Sequence, residues 1–242
     1  MKLFYNVLLA LILSVSAAQA ETLVLHYDLS DASTVTVTPP SDPFPGTIAT
    51  LQDKINPLNV ATPFYAAYSG PSYPTTLGSK NAASFAGSPP QCLYGPNAPS
   101  LSGAFTFFAV ATMTTAYVPT PIVGGNQGVV INLYQNLNLM QFWDGNSVWS
   151  NYSATIPLNT LLVIAVTSPD GTAQNASMFL NSAKLTQLYT STGILVMNAT
   201  LLGCTTEGSF LAGQIGEVRQ YNSALSDTRI KTISRNLKDK WQ

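Results

Sequence analysis

Aromatic, amide and carboxylate side chains concentrate in the run from Gln141 to Tyr152. An indole ring can lie against the apolar face of a sugar ring, and amides or carboxylates can hydrogen-bond to its hydroxyls. The run therefore predicts a ligand-binding site around one hairpin turn, to which an asparagine earlier in the chain can contribute. The candidate ligand-binding residues are Trp143, Asp144, Asn146, Trp149 and Asn126.

Two other interpretations of this run stay open. Trp143 and Trp149 would also suit packing into a core or covering a sheet edge, in which case they bind nothing. Asp144, Asn146 and Asp170 carry the oxygen ligands that calcium prefers, which makes calcium a candidate cofactor. Their spacing matches no known calcium loop, so the metal has no assigned residues.

The single histidine offers the other chemistry to consider. In the alternating segment 22–28, His26 and Asp28 fall on one face of a predicted strand. A Ser-His-Asp triad would also need a nucleophile on a sharp turn, and no such motif accompanies them. One histidine and two cysteines supply no zinc site by spacing. We expect His26 to be a structural strand residue and the chain to have no catalytic site.

Short apolar segments must position these residues. Residues 105–112 are apolar on both faces and predict a central strand covered on both sides, and 161–167 predict another buried strand. Residues 128–143 predict two strands meeting near Gln135, with Asp144-Gly145 as a two-residue hairpin turn. Their predicted core residues are Ile131, Leu133, Leu137 and Leu139. Such a pattern is typical of an all-β, two-sheet antiparallel sandwich or jelly roll, and we expect one domain over residues 21–242.

The end of the chain combines a strand with a helix. Gly213 and Gly216 permit a bulge or a close backbone approach in the predicted strand. Ser226 is a suitable N-cap for the helix. The apolar residues then recur at three- and four-residue spacings, which places them on one helix face. They are Leu225, Ile230, Ile233, Leu237 and Trp241.

This terminal stretch resembles the signature of the laminin-G-like jelly-roll group within the concanavalin A-like lectin and glucanase superfamily. The matching residues are Phe210, Gly213, Ile215, Glu217, Val218, Tyr221, Asn222, Ala224 to Asp227, Lys240 and Trp241. Leu29 to Ser33 and Asp53-Lys54 resemble two further segments of the group. The resemblance implies a two-sheet antiparallel jelly-roll sandwich with a short C-terminal α-helix, in which Glu217 makes an outward salt link or turn contact.

The same resemblance leaves several functions open, because lectins, hydrolases, lyases and adhesion modules share this architecture. Retaining glycosidases of the superfamily carry a Glu-x-Asp-x-x-Glu strand, and its lyases carry a Gln-x-His pair. The sequence contains neither pattern. We therefore expect a non-catalytic module that binds glycan at a cell or particle surface. The alternative is a structural or protein-interaction component of a surface, matrix or virion; a polysaccharide-degrading enzyme is disfavoured.

The first twenty residues predict a signal peptide. Lys2 precedes an apolar run from Val7 to Val15, and Ala18 to Ala20 form a small-x-small cleavage site. The apolar run is shorter than the about 20 residues that a membrane span needs. We expect a secreted, extracellular protein that does not span a membrane after signal removal.

Two kinds of covalent modification follow from that expectation. Cys92 and Cys204 predict one disulfide in an oxidising compartment, with two buried free thiols as the alternative. Asn151, Asn175 and Asn198 stand in Asn-x-Ser/Thr sequons, which predict N-glycosylation if the protein is made in a eukaryotic host.

The low charge of the chain limits the kinds of partner that it can bind. Charged residues make up only 9% of the chain, against about 25% in typical domains. Most basic residues after the predicted signal lie in the terminal stretch, where acidic residues accompany them and a solvated helix face is expected. The remaining surface has too few cations to follow a phosphate backbone. We expect a glycan or a surface protein as partner, and no nucleic acid.

Overall fold

The computed structural model describes residues 21–64, 69–99, 103–115, 120–125, 130–144, 149–195, 199–206 and 208–242. Within these ranges the chain forms two antiparallel sheets and one C-terminal α-helix, α1 (Asp227–Trp241). This confirms the predicted all-β sandwich with a terminal helix.

The first sheet has eight strands, numbered here in chain order along the whole molecule. They are β1 (Leu23–Asp28), β5 (Ser72–Leu77), β6 (Lys80–Ala86), β8 (Phe105–Met113), β13 (Leu162–Ser168), β14 (Ser177–Leu180), β15 (Ala183–Lys184) and β18 (Ala212–Tyr221). The spatial order is β15-β14-β13-β8-β18-β6-β5, with β1 also paired to β18. The first strand and the last strand of the chain therefore lie side by side.

The second sheet has ten strands. They are β2 (Val35–Val37), β3 (Ile48–Gln52), β4 (Val60–Pro63), β7 (Leu93–Gly95), β9 (Thr120–Gly124), β10 (Val130–Tyr134), β11 (Leu139–Trp143), β12 (Trp149–Ser153), β16 (Thr186–Tyr189) and β17 (Thr200–Leu202). Their order is β16-β12-β11-β10-β9-β17-β7-β4-β3-β2. Strand β16 is thus an edge strand, and the predicted hairpin strands β11 and β12 lie next to it.

Strand β8 shows why the molecule has three layers. Phe105, Phe107 and Ala109 point into the core between the sheets, whereas Phe108 and Val110 point to the opposite side. Helix α1 covers that opposite side. Every residue of β8 is buried, which confirms the central strand expected from its apolar pattern.

Helix α1 forms as its sequence predicts. The Ser226 side chain accepts a hydrogen bond from the backbone N–H of Arg229, and one apolar face is buried. Trp241 ends the helix against β18, where a Cβ on Gly216 would approach the indole to 2.6 Å. The glycine therefore makes the close approach expected of it, and the β18 pairing with β8 is shifted at the same point, between Ile215 and Glu217.

Two local predictions were wrong. Leu137 is exposed because residues 135–137 form a short 3-10 helix, after which Asn138 adopts a positive φ of 53°. Leu139, which was also predicted for the core, is only partly buried, and Met140 and Phe142 fill the core instead. The two-residue hairpin predicted at Asp144-Gly145 is also wrong, since Trp143 pairs with Trp149 and five residues separate the two; of these, 145–148 lie outside the described residues.

The predicted disulfide between Cys92 and Cys204 is present. It lies beside β7 and β17, where Leu201, Phe64 and Tyr94 pack around it. Among the described residues, no helix has the length and apolar character to span a bilayer.

Candidate functional site

The predicted tryptophans meet on the surface of the ten-stranded sheet. Trp143 on β11 pairs directly with Trp149 on β12, and their ring centroids lie 4.9 Å apart at an interplanar angle of 48°. Both are half-buried, whereas the neighbouring Phe142 is fully buried in the core. This tryptophan pair therefore faces outward and keeps part of its indole surface open to solvent.

Amide side chains continue this outer face across three strands. Asn132 on β10 pairs with Gln141 on β11, which pairs with Asn151 on β12. The Gln141 amide donates a 3.0 Å hydrogen bond to Asn151 Oδ1. We call Asn132, Gln141 and Asn151 the amide row. It lies one side-chain position along the strands from the tryptophan pair, because alternate residues of a strand share a face.

Tyr189 extends the amide row at the sheet edge. It pairs with Asn151 and is 56% exposed. At about 4.8 Å between strands, the row from Asn132 to Tyr189 spans roughly 14 Å. The outer face thus offers aromatic surface, amide donors and acceptors, and a hydroxyl within one continuous strip.

Asn132 has one unmatched polar atom. The side chain is only 2% exposed, and its Oδ1 has no hydrogen-bond partner among the described residues. A buried carbonyl oxygen without a donor is unfavourable by about 1–3 kcal/mol. A hydroxyl group from a ligand or a water molecule would satisfy it, so Asn132 marks the floor of the candidate site.

Asp144 lies next to the tryptophan pair and holds a neighbouring segment in place. It is 2% exposed, and its Oδ2 accepts a hydrogen bond from the Ser191 hydroxyl. That serine also accepts from Gly193 N at 2.9 Å and donates its own backbone N–H to Ser150 at 3.0 Å. Asp144 therefore fixes residues 191–193 against the hairpin and acts as a positioning residue. The other two predicted ligand-binding residues, Asn126 and Asn146, lie outside the described residues.

The calcium prediction stays untested. Asp170 lies in the loop after β13, where Asn175 and Thr172 donate hydrogen bonds to its carboxylate. These bonds lower the pKa of Asp170 to about 2. The carboxylate is thus already used to order its own loop, and the third candidate ligand, Asn146, is not described.

The predicted sequons differ in their surroundings. Asn175 is exposed in the loop between β13 and β14, while Asn151 is half-buried within the amide row. Asn198 lies outside the described residues. A glycan attached to Asn151 would cover the outer face, so glycosylation at that position and ligand binding there exclude each other.

A second cluster of chemistry-bearing side chains joins β1, β18 and α1. Ligand atoms of His26, Asp28 and Glu217 lie within 4.8 Å of one another, which is close enough to hold a metal ion. His26 Nε2 lies 2.7 Å from Glu217 Oε1. Lys240 Nζ, however, is already 2.9 Å from both Asp28 oxygens and 2.6 Å from Glu217 Oε2. A lysine ammonium therefore takes the place where a cation would bind.

Further donors complete this cluster around Glu217. Arg219 Nε donates to Oε1 at 2.6 Å, and Trp241 Nε1 donates to Oε2 at 2.9 Å. Burial opposes ionisation, but the bond with His26 and the charge of Arg219 outweigh it and hold the pKa of Glu217 well below its usual range. The expected outward position of Glu217 was wrong, as was the expectation that Lys240 lies on a solvated helix face. The cluster is a clamp between strands and helix, and His26 is the structural strand residue that was expected.

Neither a protein-family model nor a curated protein sequence matches the chain. Solved structures do match its fold. Trypanosoma rangeli sialidase aligns with a TM-score of 0.59 at 13% identity, covering 89% of this chain and 33% of the sialidase. The chain thus spans about a third of the length of that enzyme.

Two further solved structures have the same fold. Domain 4 of AbnA, a GH43 extracellular arabinanase from Geobacillus stearothermophilus solved with arabinotriose, gives a TM-score of 0.54 at 17% identity and covers 89% of this chain and 100% of that domain. A structure of botulinum neurotoxin type C, whose cell entry depends on interaction with two ganglioside molecules, aligns with a TM-score of 0.56 at 12% identity. The alignment covers 89% of this chain and 51% of the toxin chain. At these identities the likeness shows a shared β-sandwich fold, and the laminin-G-like assignment stays a prediction.

Proposed function

We propose that this chain is a secreted, non-catalytic carbohydrate-binding module of the laminin-G-like type, whose ligand lies on the outer face of the ten-stranded sheet. The observation that carries the proposal is the tryptophan pair beside the amide row. Indole surface packs against the apolar side of a sugar ring, while amide groups both donate to and accept from its hydroxyls. The outer face of one rigid sheet presents both.

The similar structures support the proposal at the level of fold. The arabinanase domain was solved with arabinotriose, and the toxin structure concerns ganglioside binding. A sandwich of this shape is therefore used for sugar recognition in proteins of otherwise different sequence. The signal-like residues 1–20 support secretion.

The non-catalytic assignment rests on the carboxylates. Asp28 and Glu217 are the paired acids of the clamp, and Lys240 bonds to both of them. A hydrolase of the two-carboxylate kind needs its acids facing a sugar rather than occupied by cations. The clamp therefore serves stability in this proposal.

Binding to a glycan panel, with calcium and again with chelator, tests the proposed function. We expect saturable binding by residues 21–242 that weakens at least about tenfold in Trp143→Ala and Trp149→Ala, because about 1.4 kcal/mol of lost contact corresponds to tenfold in affinity. Phe44→Ala removes an exposed aromatic side chain from a distant loop and is the matched control. Equal binding by the tryptophan variants would remove the outer face from the proposal.

One observation favours a second candidate, a protein-interaction module. All four residues of edge strand β16 are exposed, including Leu188 and Tyr189. An open strand edge can pair with a strand of another protein. A stoichiometric protein partner that no sugar displaces, lost in a Leu188→Pro variant, would support this candidate over glycan binding.

A further inference from the structure

The strands of the ten-stranded sheet share an unusual composition. None of the ten strands of this sheet contains Asp, Glu, Lys, Arg or His. Their polar residues are threonines, serines, asparagines, glutamines and tyrosines. The face that carries the tryptophan pair and the amide row is therefore built from uncharged groups.

The basic residues lie elsewhere. After residue 20 the chain has nine lysines and arginines, all within the described ranges: Lys54, Lys80, Lys184, Arg219, Arg229, Lys231, Arg235, Lys238 and Lys240. Five belong to α1, which covers the far side of the eight-stranded sheet. Three belong to β6, β15 and β18 of that same sheet. Lys54 follows β3 and is bound to Asp31 at 2.8 Å.

Lys184 lies two residues before edge strand β16, but its ammonium is bound to Asp227 of α1 at 3.2 Å. Distance separates Lys54 from the candidate site. Strand β3 lies six positions from β11 in the sheet order, which is roughly 29 Å at about 4.8 Å per strand. This exceeds the Debye length of about 8 Å at physiological ionic strength. The charged side chain adjacent to the tryptophan pair in sequence is the carboxylate of Asp144. An anionic group on the outer face would thus lose water without gaining a cationic partner.

We propose that the ligand of the outer face is an uncharged glycan, and that sialylated, uronic-acid and sulfated glycans are excluded from it. This inference rests on the proposed function and narrows its ligand class. The similar structures include both chemistries, since a sialidase was solved with sialic acid and the arabinanase domain with neutral arabinotriose. The shared fold does not select between them, but the side chains of this chain do. The partly exposed Gln141 and Asn151 present amides to hydroxyls, and the tryptophan pair covers apolar ring faces.

Matched pairs of glycans test the inference. Neutral and acidic forms of one scaffold, such as lactose and sialyllactose, or galactan and polygalacturonate, are titrated at about 20 mM and about 500 mM salt, with heparin as the sulfated probe. We expect the neutral member of a pair to bind at least about tenfold more tightly. Its Kd should change less than about twofold between the two salt concentrations, since no ion pair is screened.

A variant that adds a positive charge to the site provides a second test of the inference. Gln141→Lys places an ammonium within the amide row and should weaken neutral binding while raising affinity for the acidic member. Lys80→Gln, on the other sheet, should leave both affinities unchanged. Tighter binding of the acidic member with steep salt dependence would overturn the inference. If that binding were also lost in Trp143→Ala, the proposed function would stand. If the protein bound neither member of any pair, both the inference and the proposed function would be overturned.

Discussion

Glu217 accepts a hydrogen bond from the indole N–H of Trp241 at 2.9 Å, in a site where the carboxylate is only 1% exposed. The same carboxylate binds Lys240 and Arg219 and contacts His26 from the first strand. One buried acid therefore joins the first strand, the last strand and the C-terminal helix. Residues that appear in the sequence as a terminal signature act together as a three-way junction.

Glu217→Gln should destabilise the protein by about 3–5 kcal/mol, because it removes a buried charge and leaves the partly buried Arg219 and Lys240 without their shared partner. Urea unfolding at pH 7 measures the loss. Lys184→Ala is the matched control, since Lys184 and Asp227 form an exposed pair at 3.2 Å, and exposed pairs contribute about 0–1 kcal/mol. Equal losses in the two variants would contradict the clamp.

The clamp also predicts the direction of acid sensitivity. The pKa of Glu217 in the folded protein lies below its ordinary value of 4.5, and the pKa of Asp28 lies below 3.8. The unfolded chain consequently binds more protons in acid, so this stabilisation is complete above about pH 5 and decreases as pH falls through about 4.5. Unfolding free energies measured from pH 7 to pH 3 should fall more steeply in the native protein than in Glu217→Gln. Parallel curves would show that Glu217 contributes nothing to acid unfolding.

Asp144→Ala should destabilise by about 1–3 kcal/mol, because the Ser191 hydroxyl loses its buried acceptor. Hydrogen exchange should increase at Ser191 and Gly193, whose amides belong to the segment that Asp144 fixes. Asp239→Asn, an exposed substitution near the end of α1, should change neither measurement. Unchanged exchange at Ser191 in Asp144→Ala would contradict the positioning role.

The disulfide closes a sequence separation of 112 residues. Replacing both cysteines by alanine should lower the unfolding free energy by about 2–5 kcal/mol and Tm by roughly 4–20 °C. A reductant should lower the Tm of the native protein to a similar value and leave the double variant unchanged. A native Tm that does not respond to complete reduction would contradict a stabilising bridge.

The elements predicted well are those whose signal is local. Strand β8 followed from apolar residues on both faces, and α1 followed from the spacing of Ile230, Ile233 and Leu237. The tryptophan pair was found because its members lie in one short run of sequence. Leu137 was misplaced because the pattern of alternation does not show where Asn138 turns the chain.

The parts that were missed depend on pairing between distant segments. Asn132 and Tyr189 join the candidate site only because β10 and β16 flank the hairpin strands β11 and β12. Glu217 meets Lys240 through helix packing and Asp28 through the pairing of β1 with β18. These residues are too far apart in the sequence for any spacing pattern to predict their contacts. The sequence shows only that a single histidine and several acidic residues lie near the two ends of the chain.

The separation of charge between the layers also orients the molecule. Helix α1 carries five basic and two acidic side chains, while the net charge of the chain is −1. The protein therefore has a positive pole on its helix side and a negative remainder. A negatively charged cell wall or particle would attract the helix first. The tryptophan pair, on the opposite layer, would then point away from that surface and toward the surrounding medium.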